Sequence, residues 1–174
     1  MAIQKIASFI IRALTPVDES ILWKMLYHAI YVPSGQSPPD RGIIHQPELA
    51  RYACGWGCQH DSGFIALAQS TGIPLGVAWL RLLTGENRGY GYIDDNTPEL
   101  SIAVLPGYRG QGIGTALLSE IIQSARYRYP AVSLSVNSAN PACRLYQRLG
   151  FQIIKRKEDD SLIMRKNLHL ADRA

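Results

Sequence analysis

The chain has 174 residues, a length that fits one domain and can bury a core without disulfide or metal staples. Hydrophobic residues make up 47% and charged residues 18%, below the usual ~25%, which excludes an intrinsically disordered chain. With 18 Lys and Arg against 14 Asp and Glu the net charge is +4, enough to suit a small anionic ligand and too diffuse for a nucleic-acid binder.

Residues 1–8 carry one lysine and no long apolar core, so no signal peptide is expected. No apolar run approaches the ~20 residues of a membrane helix. Cys54, Cys58 and Cys143 cannot all pair, which points to a soluble protein of a reducing compartment, the cytoplasm, with buried or half-buried thiols. Cys54, Cys58 and His60 lack a second ligand pair at zinc spacing, and no metal is expected.

Phe9 to Ala13 reads as a first strand. Thr15 can cap the following helix, with Pro16 at its first position and Asp18 where an acidic capping-box partner belongs. Ile21, Leu22, Met25, Leu26 and Ala29 form its apolar stripe, and Val32-Pro33 stops it. Residues 34–42 are loop-like, and Gln46-Pro47-Glu48 starts a shorter helix expected to reach Ala53. Phe64 to Gln69 and Ile73 to Leu83 flank the turn Ser70-Thr71-Gly72, a hairpin. Residues 87–98 are polar loop, with short strand character expected at Tyr90 to Ile93.

Glu99 to Leu105 is a β-rich run ended by Pro106-Gly107. Ile113, Leu117, Leu118, Ile121, Ile122 and Ala125 then fall on one helical face. Val132, Leu134 and Val136 alternate with Ser133, Ser135 and Asn137 as a half-buried strand. Asn140-Pro141 caps and opens a helix that Gly150 ends, and Phe151 to Arg156 with Leu162 to Lys166 form a closing hairpin. The strands on either side of the Ile113 helix make a βαβ unit and should be parallel, with the crossover right-handed. The expected class is α/β (α+β): a mixed, mostly antiparallel central sheet with one parallel βαβ crossover and flanking helices, as one domain over residues 1–174.

Ligands favour the carboxyl ends of parallel strands, which directs attention to residues 105–115. Glycines at 107, 110, 112 and 114, at the entrance to a long helix, leave several N–H groups pointing outward with the helix dipole behind them. Arg109 adds a positive charge. A phosphate or pyrophosphate is the natural guest of such a loop. The loop has no lysine for a P-loop, and its glycine spacing fails the Rossmann fingerprint.

The run Arg109-x-x-Gly112-x-Gly114, after Ile102-Ala103-Val104-Leu105-Pro106, resembles the pyrophosphate signature of the GNAT superfamily of acyl-CoA-dependent N-acetyltransferases. Asn140-Pro141-Ala142-Cys143-Arg144-Leu145-Tyr146 and Gly150-Phe151 resemble its second signature, in the family's order. The resemblance implies that acetyl-CoA is the cosubstrate, with no metal. Amides of Arg109, Gly110, Gln111, Gly112, Ile113, Gly114 and Thr115 would cradle its pyrophosphate. Ile102, Ala103 and Val104 would run along the pantetheine, with an N–H near Ile102 facing the thioester carbonyl. Asn140 would sit near the pantetheine or the thiol, and Tyr146 would protonate the leaving thiolate.

An alkyl ammonium must lose a proton before it attacks, at a cost of about 4.6 kcal/mol at pH 7. The family often uses an acidic residue on the pantetheine strand, acting through water, and Glu99 is the nearest. Strand alternation turns Glu99 from the cleft unless a bulge intervenes. Asp94, Asp95 and His45 stand in reserve. By resemblance, residues 31–45 and the 155–161 turn line the acceptor site, and Tyr90 and Tyr92 beside Asp94 and Asp95 offer a wall for a cationic amine or, equally, ordinary loop residues. Cys143 has no histidine at hand to make it a nucleophile. The expected activity is acetyl transfer to a primary amine, small molecule or peptide, by direct attack. A CoA-binding sensor that has lost catalysis is the alternative. Dimers are common among such proteins, and no membrane or nucleic-acid partner is expected.

Overall fold

A computed structural model describes residues 8–169. Seven strands form one sheet: β1 (Phe9–Ala13), β2 (Ser62–Ala68), β3 (Pro74–Arg81), β4 (Glu99–Val104), β5 (Ala131–Asn137), β6 (Gln152–Arg156) and β7 (Ser161–Asn167). Their order is β1-β2-β3-β4-β5-β7-β6, and every neighbouring pair is antiparallel except β4–β5. The helices are α1 (Glu19–Ala29), α2 (Pro47–Ala50), α3 (Ile113–Ala125) and α4 (Ala142–Arg148). The mixed class and the parallel βαβ unit expected from the sequence are both present.

The sheet buries both faces. Ile113, Leu117, Leu118, Ile121, Ile122 and Ala125 of α3 pack with Leu100, Val132, Leu134 and Met164 on one side. Leu22, Met25 and Leu26 of α1 pack with Val77, Trp79 and Ala103 on the other. Strand β3 lies under both layers, which is why it reads as the near-continuous apolar run Leu75 to Leu80.

The chain enters α1 through a 3-10 turn, Pro16–Asp18. The Asp18 carboxylate accepts from the Thr15 N–H (2.8 Å), the Thr15 hydroxyl (2.9 Å) and both terminal nitrogens of Arg12 (2.8 Å each). These donors outweigh its burial and hold its pKa well below the carboxylate range. The stabilisation is therefore complete above the unfolded-state pKa near ~4 and fades as pH falls through the depressed native value. Asp18→Asn should lose about 1–3 kcal/mol at pH 7. Its melting temperature should converge on the parent's at the acid end of a pH series, and a constant gap would refute the ionic origin.

Four expectations need correction. Helix α2 stops at Ala50, and residues 51–55 continue as turns, because Arg81 gathers the carbonyls of Arg51, Cys54 and Gly55 (2.7–3.1 Å) while pairing with Asp61. Residues 90–93 form no strand; they are held by side-chain bonds described below. Cys54 and Cys58 are exposed, and only Cys143 is half-buried. Ser133 is fully buried rather than half-exposed. No helix among the described residues is long and apolar enough to cross a membrane.

Candidate active site

Strands β4 and β5 share a single register pair, Glu99 with Ser133, next to which the Ser133 N–H donates to the Pro98 carbonyl at 3.0 Å. Beyond that bridge β4 pairs only with β3, and β5 only with β7. Alternation then fixes which main-chain groups face the gap. The Leu105 N–H bonds to Leu75 on the β3 side, so the odd-numbered residues of β4 serve β3 and the even-numbered ones turn to the gap. The Ile102 N–H and C=O and the Val104 N–H therefore lie open to a ligand between the strands. Ala103 does not belong with them. Its main-chain groups pair with Val77 and its side chain is buried beneath α1.

At the carboxyl end of β4 the loop turns through Gly110 and Gly112, at φ +73° and +85°, and no atom lies within 4 Å of a Cβ built on either. The first α3 ladder bond runs from Ala116 N to Gly112 O, which leaves the amides of Gly112, Ile113, Gly114 and Thr115 without a ladder acceptor. Gly114 stands between Ile102 and Val104 of β4 and Leu145 of α4, each 3.8–3.9 Å from where its Cβ would be. The side chain of Arg109 is engaged structurally, donating to Val104 O (3.0 Å) and His28 O (3.2 Å). Its charge stays beside the loop: burial and then the nearby Arg41 and Arg109 push the His28 pKa down. An anion at this helix entrance meets four open amides and a positive field, which is the chemistry a pyrophosphate needs.

Tyr31 donates to the Ala139 carbonyl at 3.1 Å, spanning from the segment after α1 to the loop after β5. Asn140 accepts from the Ala142 N–H at 2.9 Å and so caps α4. Tyr146 on α4 is buried edge-on against Phe151, with ring centroids 5.8 Å apart. Its hydroxyl makes no hydrogen bond to the described residues, and burial raises its pKa, so it is protonated at neutral pH. Burial likewise raises the Cys143 thiol, which is a poor nucleophile in that state.

Glu99 lies on the α1 face of β4, at the base of the gap, and is 5% exposed. Its Oε1 accepts from the Tyr52 hydroxyl (2.6 Å) and the Gly91 N–H (2.8 Å). Tyr52 in turn accepts from the Tyr90 N–H at 2.7 Å, and the Tyr52 and Tyr90 rings stack. Burial raises the Glu99 pKa, opposed by the Tyr52 and Gly91 bonds and by the charges of Lys157 and Arg51. Only glycine fits where the loop crosses this carboxylate. A Cβ on Gly89 would collide with Glu99 Oε2 and Tyr52 Oη, and one on Gly91 would meet the β5 main chain at 2.7 Å. Sequence reading missed Tyr52, which sits 47 residues from Glu99. The alternating glycines of Arg88-Gly89-Tyr90-Gly91-Tyr92 are the signal that a close backbone approach occurs here.

The reserve residues are placed elsewhere. His45 stacks on Trp23 at 5.2 Å, in a recess of about 330 Å³ with Tyr27 and Arg41. Asp94 accepts from the Asn96 N–H and Asp95 from the Tyr92 hydroxyl, both in local turns. The Tyr92 ring already carries Arg88 at 4.3 Å and the Tyr90 ring Lys157 at 5.9 Å. These are loop contacts rather than a vacant cation wall.

The family model described as the acetyltransferase (GNAT) family matches residues 25–151. The chain belongs to this family of acyltransferases. A stretch of 59 residues is 48% identical to an N-alpha-acetyltransferase of Sulfurisphaera tokodaii, covering 32% of this chain and 35% of that protein. The match thus spans about a third of that relative's length. The ribosomal-protein-S18-alanine N-acetyltransferase of Escherichia coli superposes with TM-score 0.62 at 20% identity, over 94% of this chain and 96% of that one. A Salmonella typhimurium protein solved with its cofactor acetyl-CoA superposes with TM-score 0.60 at 22% identity, over 95% and 96%. At such identities the superpositions speak for the GNAT fold.

Proposed function

We propose that this GNAT protein transfers acetyl from acetyl-CoA to a primary amine by direct attack in a ternary complex. The observation that carries the reading is the opening between β4 and β5, with unpaired Ile102 and Val104 groups on one wall and the glycine loop at its end. Acetyl-CoA would lay its pyrophosphate on the open amides of Gly112, Ile113, Gly114 and Thr115 and its pantetheine along β4. The Arg109 N–H expected to join them is already bonded to the Pro106 carbonyl. The Ile102 N–H would stabilise charge developing on the thioester oxygen.

Glu99 is the general base in this reading. It lies too deep to touch a bulky amine and acts through a water molecule. Its raised pKa strengthens it as a proton acceptor. Tyr146 is the acid that returns a proton to the coenzyme A thiolate. Asn140 keeps the α4 entrance in place through its cap. Because the Tyr146 hydroxyl has no partner to lose, Tyr146→Phe should leave stability unchanged or slightly raised. Its kcat should fall by about 10²-fold with acetyl-CoA affinity retained. Unchanged turnover would remove Tyr146 from the acid role.

The name of the Sulfurisphaera relative puts peptide α-amines first among acceptors. Chemistry agrees: with a pKa of ~7.7–8.0 an α-amine costs only about 1 kcal/mol to deprotonate at pH 7. We place the protein in the cytoplasm, in keeping with its three free cysteines. Calorimetric titration with acetyl-CoA, followed by thiol-release assays on peptides, polyamines and free lysine, tests the reading. Binding with thiol release on one amine class is expected. No binding would overturn it.

A further inference from the structure

Three buried side-chain polar atoms have no hydrogen-bond partner among the described residues: Glu99 Oε2, Ser133 Oγ and Arg165 Nε. They come from three strands, yet they fall in one row. Glu99 is the register partner of Ser133 across β4–β5, and Ser133 is the register partner of Arg165 across β5–β7. Laterally paired residues point to the same face of a sheet, here the face away from α3. Ser133 is 0% and Glu99 5% exposed, so neither atom finds a partner in bulk solvent.

The order of the three is chemically directional. A guanidinium nitrogen can only donate, a hydroxyl both accepts and donates, and a carboxylate only accepts. Arg165 stands at the donor end, Ser133 in the middle and Glu99 at the acceptor end. None is within direct bonding reach of the next, and each would carry the cost of an unpaired buried polar atom if left dry. Buried water commonly fills such a place, where several polar atoms converge without partners.

We propose that ordered water joins these atoms into one hydrogen-bond line across β7, β5 and β4, with Ser133 and Arg165 as positioning residues that keep the Glu99 carboxylate oriented and ionised. The proposal rests on the reading of Glu99 as the base. It supplies what that reading lacks, a source of donors for Oε2. The other groups around Glu99 act elsewhere. Tyr52 and the Gly91 amide hold Oε1, and Lys157 bonds to the Tyr90 carbonyl. Arg51 donates to the Arg88 and Pro47 carbonyls, and Arg81, the Glu99 neighbour on β3, is paired with Asp61. Arg165 alone in the row has a guanidinium with no ion pair among the described residues.

The test is direct titration of the Glu99 side-chain carboxyl by ¹³C NMR, with Glu99→Gln identifying the signal. Ser133→Ala and Arg165→Met should each raise the Glu99 pKa by about one unit, since each removes donors to the charged form. Ser133→Thr, which keeps the hydroxyl, should titrate close to the parent. The acid limb of kcat should move up with the carboxyl, while KM for acetyl-CoA stays put. An unmoved titration in either Ser133→Ala or Arg165→Met would break the line and overturn the proposal. Arg165 is half-buried, so its variant stays informative where a core change at Ser133 costs folding. If Glu99→Gln retains full turnover, the base reading falls separately, and the carboxyl titration still decides whether the line exists.

Discussion

Glu99→Gln should lower kcat by about 10²–10⁴-fold at pH 7 while acetyl-CoA binds as before. The change is nearly isosteric, and the glutamine carbonyl can still accept from Tyr52 and the Gly91 amide, so the loop over the site keeps its anchor. On the reading of Glu99 as the base, what disappears is the proton acceptor, and in the parent kcat should climb with pH through a Glu99 pKa that burial lifts above the ordinary carboxylate value. That limb should vanish in the variant. Stability gives an independent sign. A carboxyl whose native pKa is raised binds its proton more tightly folded than unfolded, so its ionisation costs stability as pH rises between the two values. Glu99→Gln removes that cost, and its melting temperature at pH 7 to 8 should be equal to or above the parent's. A variant that is inactive and also strongly destabilised would mark Glu99 as structural instead.

Gly112→Asp should weaken acetyl-CoA binding by about 10²–10⁴-fold. The size follows from losing two or so charge-assisted amide–phosphate bonds, roughly 1.5–3 kcal/mol each. A new carboxylate would sit at the helix entrance, take the open amides itself and repel the pyrophosphate. The protein should still fold. No atom lies within 4 Å of the added Cβ, and the strain of φ +85° is about 1–3 kcal/mol, partly offset by capping α3. Gly112→Ala carries the same strain without the charge and separates the two effects in calorimetry. If both variants bind equally, charge at the loop is not what matters. If Gly112→Asp binds as the parent does, the cradle lies elsewhere and the functional reading loses its base.

Much of this architecture was written in short stretches of sequence, because the forces that shape those stretches act locally. Six apolar residues at helical spacing from Ile113 to Ala125 predict α3 and its buried face, and all six are in the core. The glycines at 110 and 112 predict a loop with outward amides because positive φ is a property of the residue itself. Strand alternation was expected to turn Glu99 from the cleft unless a bulge intervened; the β3–β4 register has no bulge, and Glu99 nonetheless lies at the base of the gap, on the α1 face. The strand–helix–strand pattern around Ile113 carried the expectation of a parallel pair, and β4 and β5 form it, though with a single register pair.

Other features depend on residues far apart in the chain, and only packing decided them. Ala103 stands in the middle of the signature strand, yet its polar groups serve β3, because only even-numbered β4 residues face the gap. Arg109 looked like a phosphate ligand from its position, but the folded chain offers it two carbonyls first. Nothing near Tyr52 in the sequence marks it as the partner of Glu99; Arg81 and Trp79 draw its turn to the sheet through bonds that span 26–30 residues. The row of Glu99, Ser133 and Arg165 exists only because three strands align in register. Composition and periodicity set each segment's shape, since those depend on neighbours within a turn or two. Which side chains share a buried site was settled by sheet order and register, since those arise from long-range pairing that no local pattern encodes.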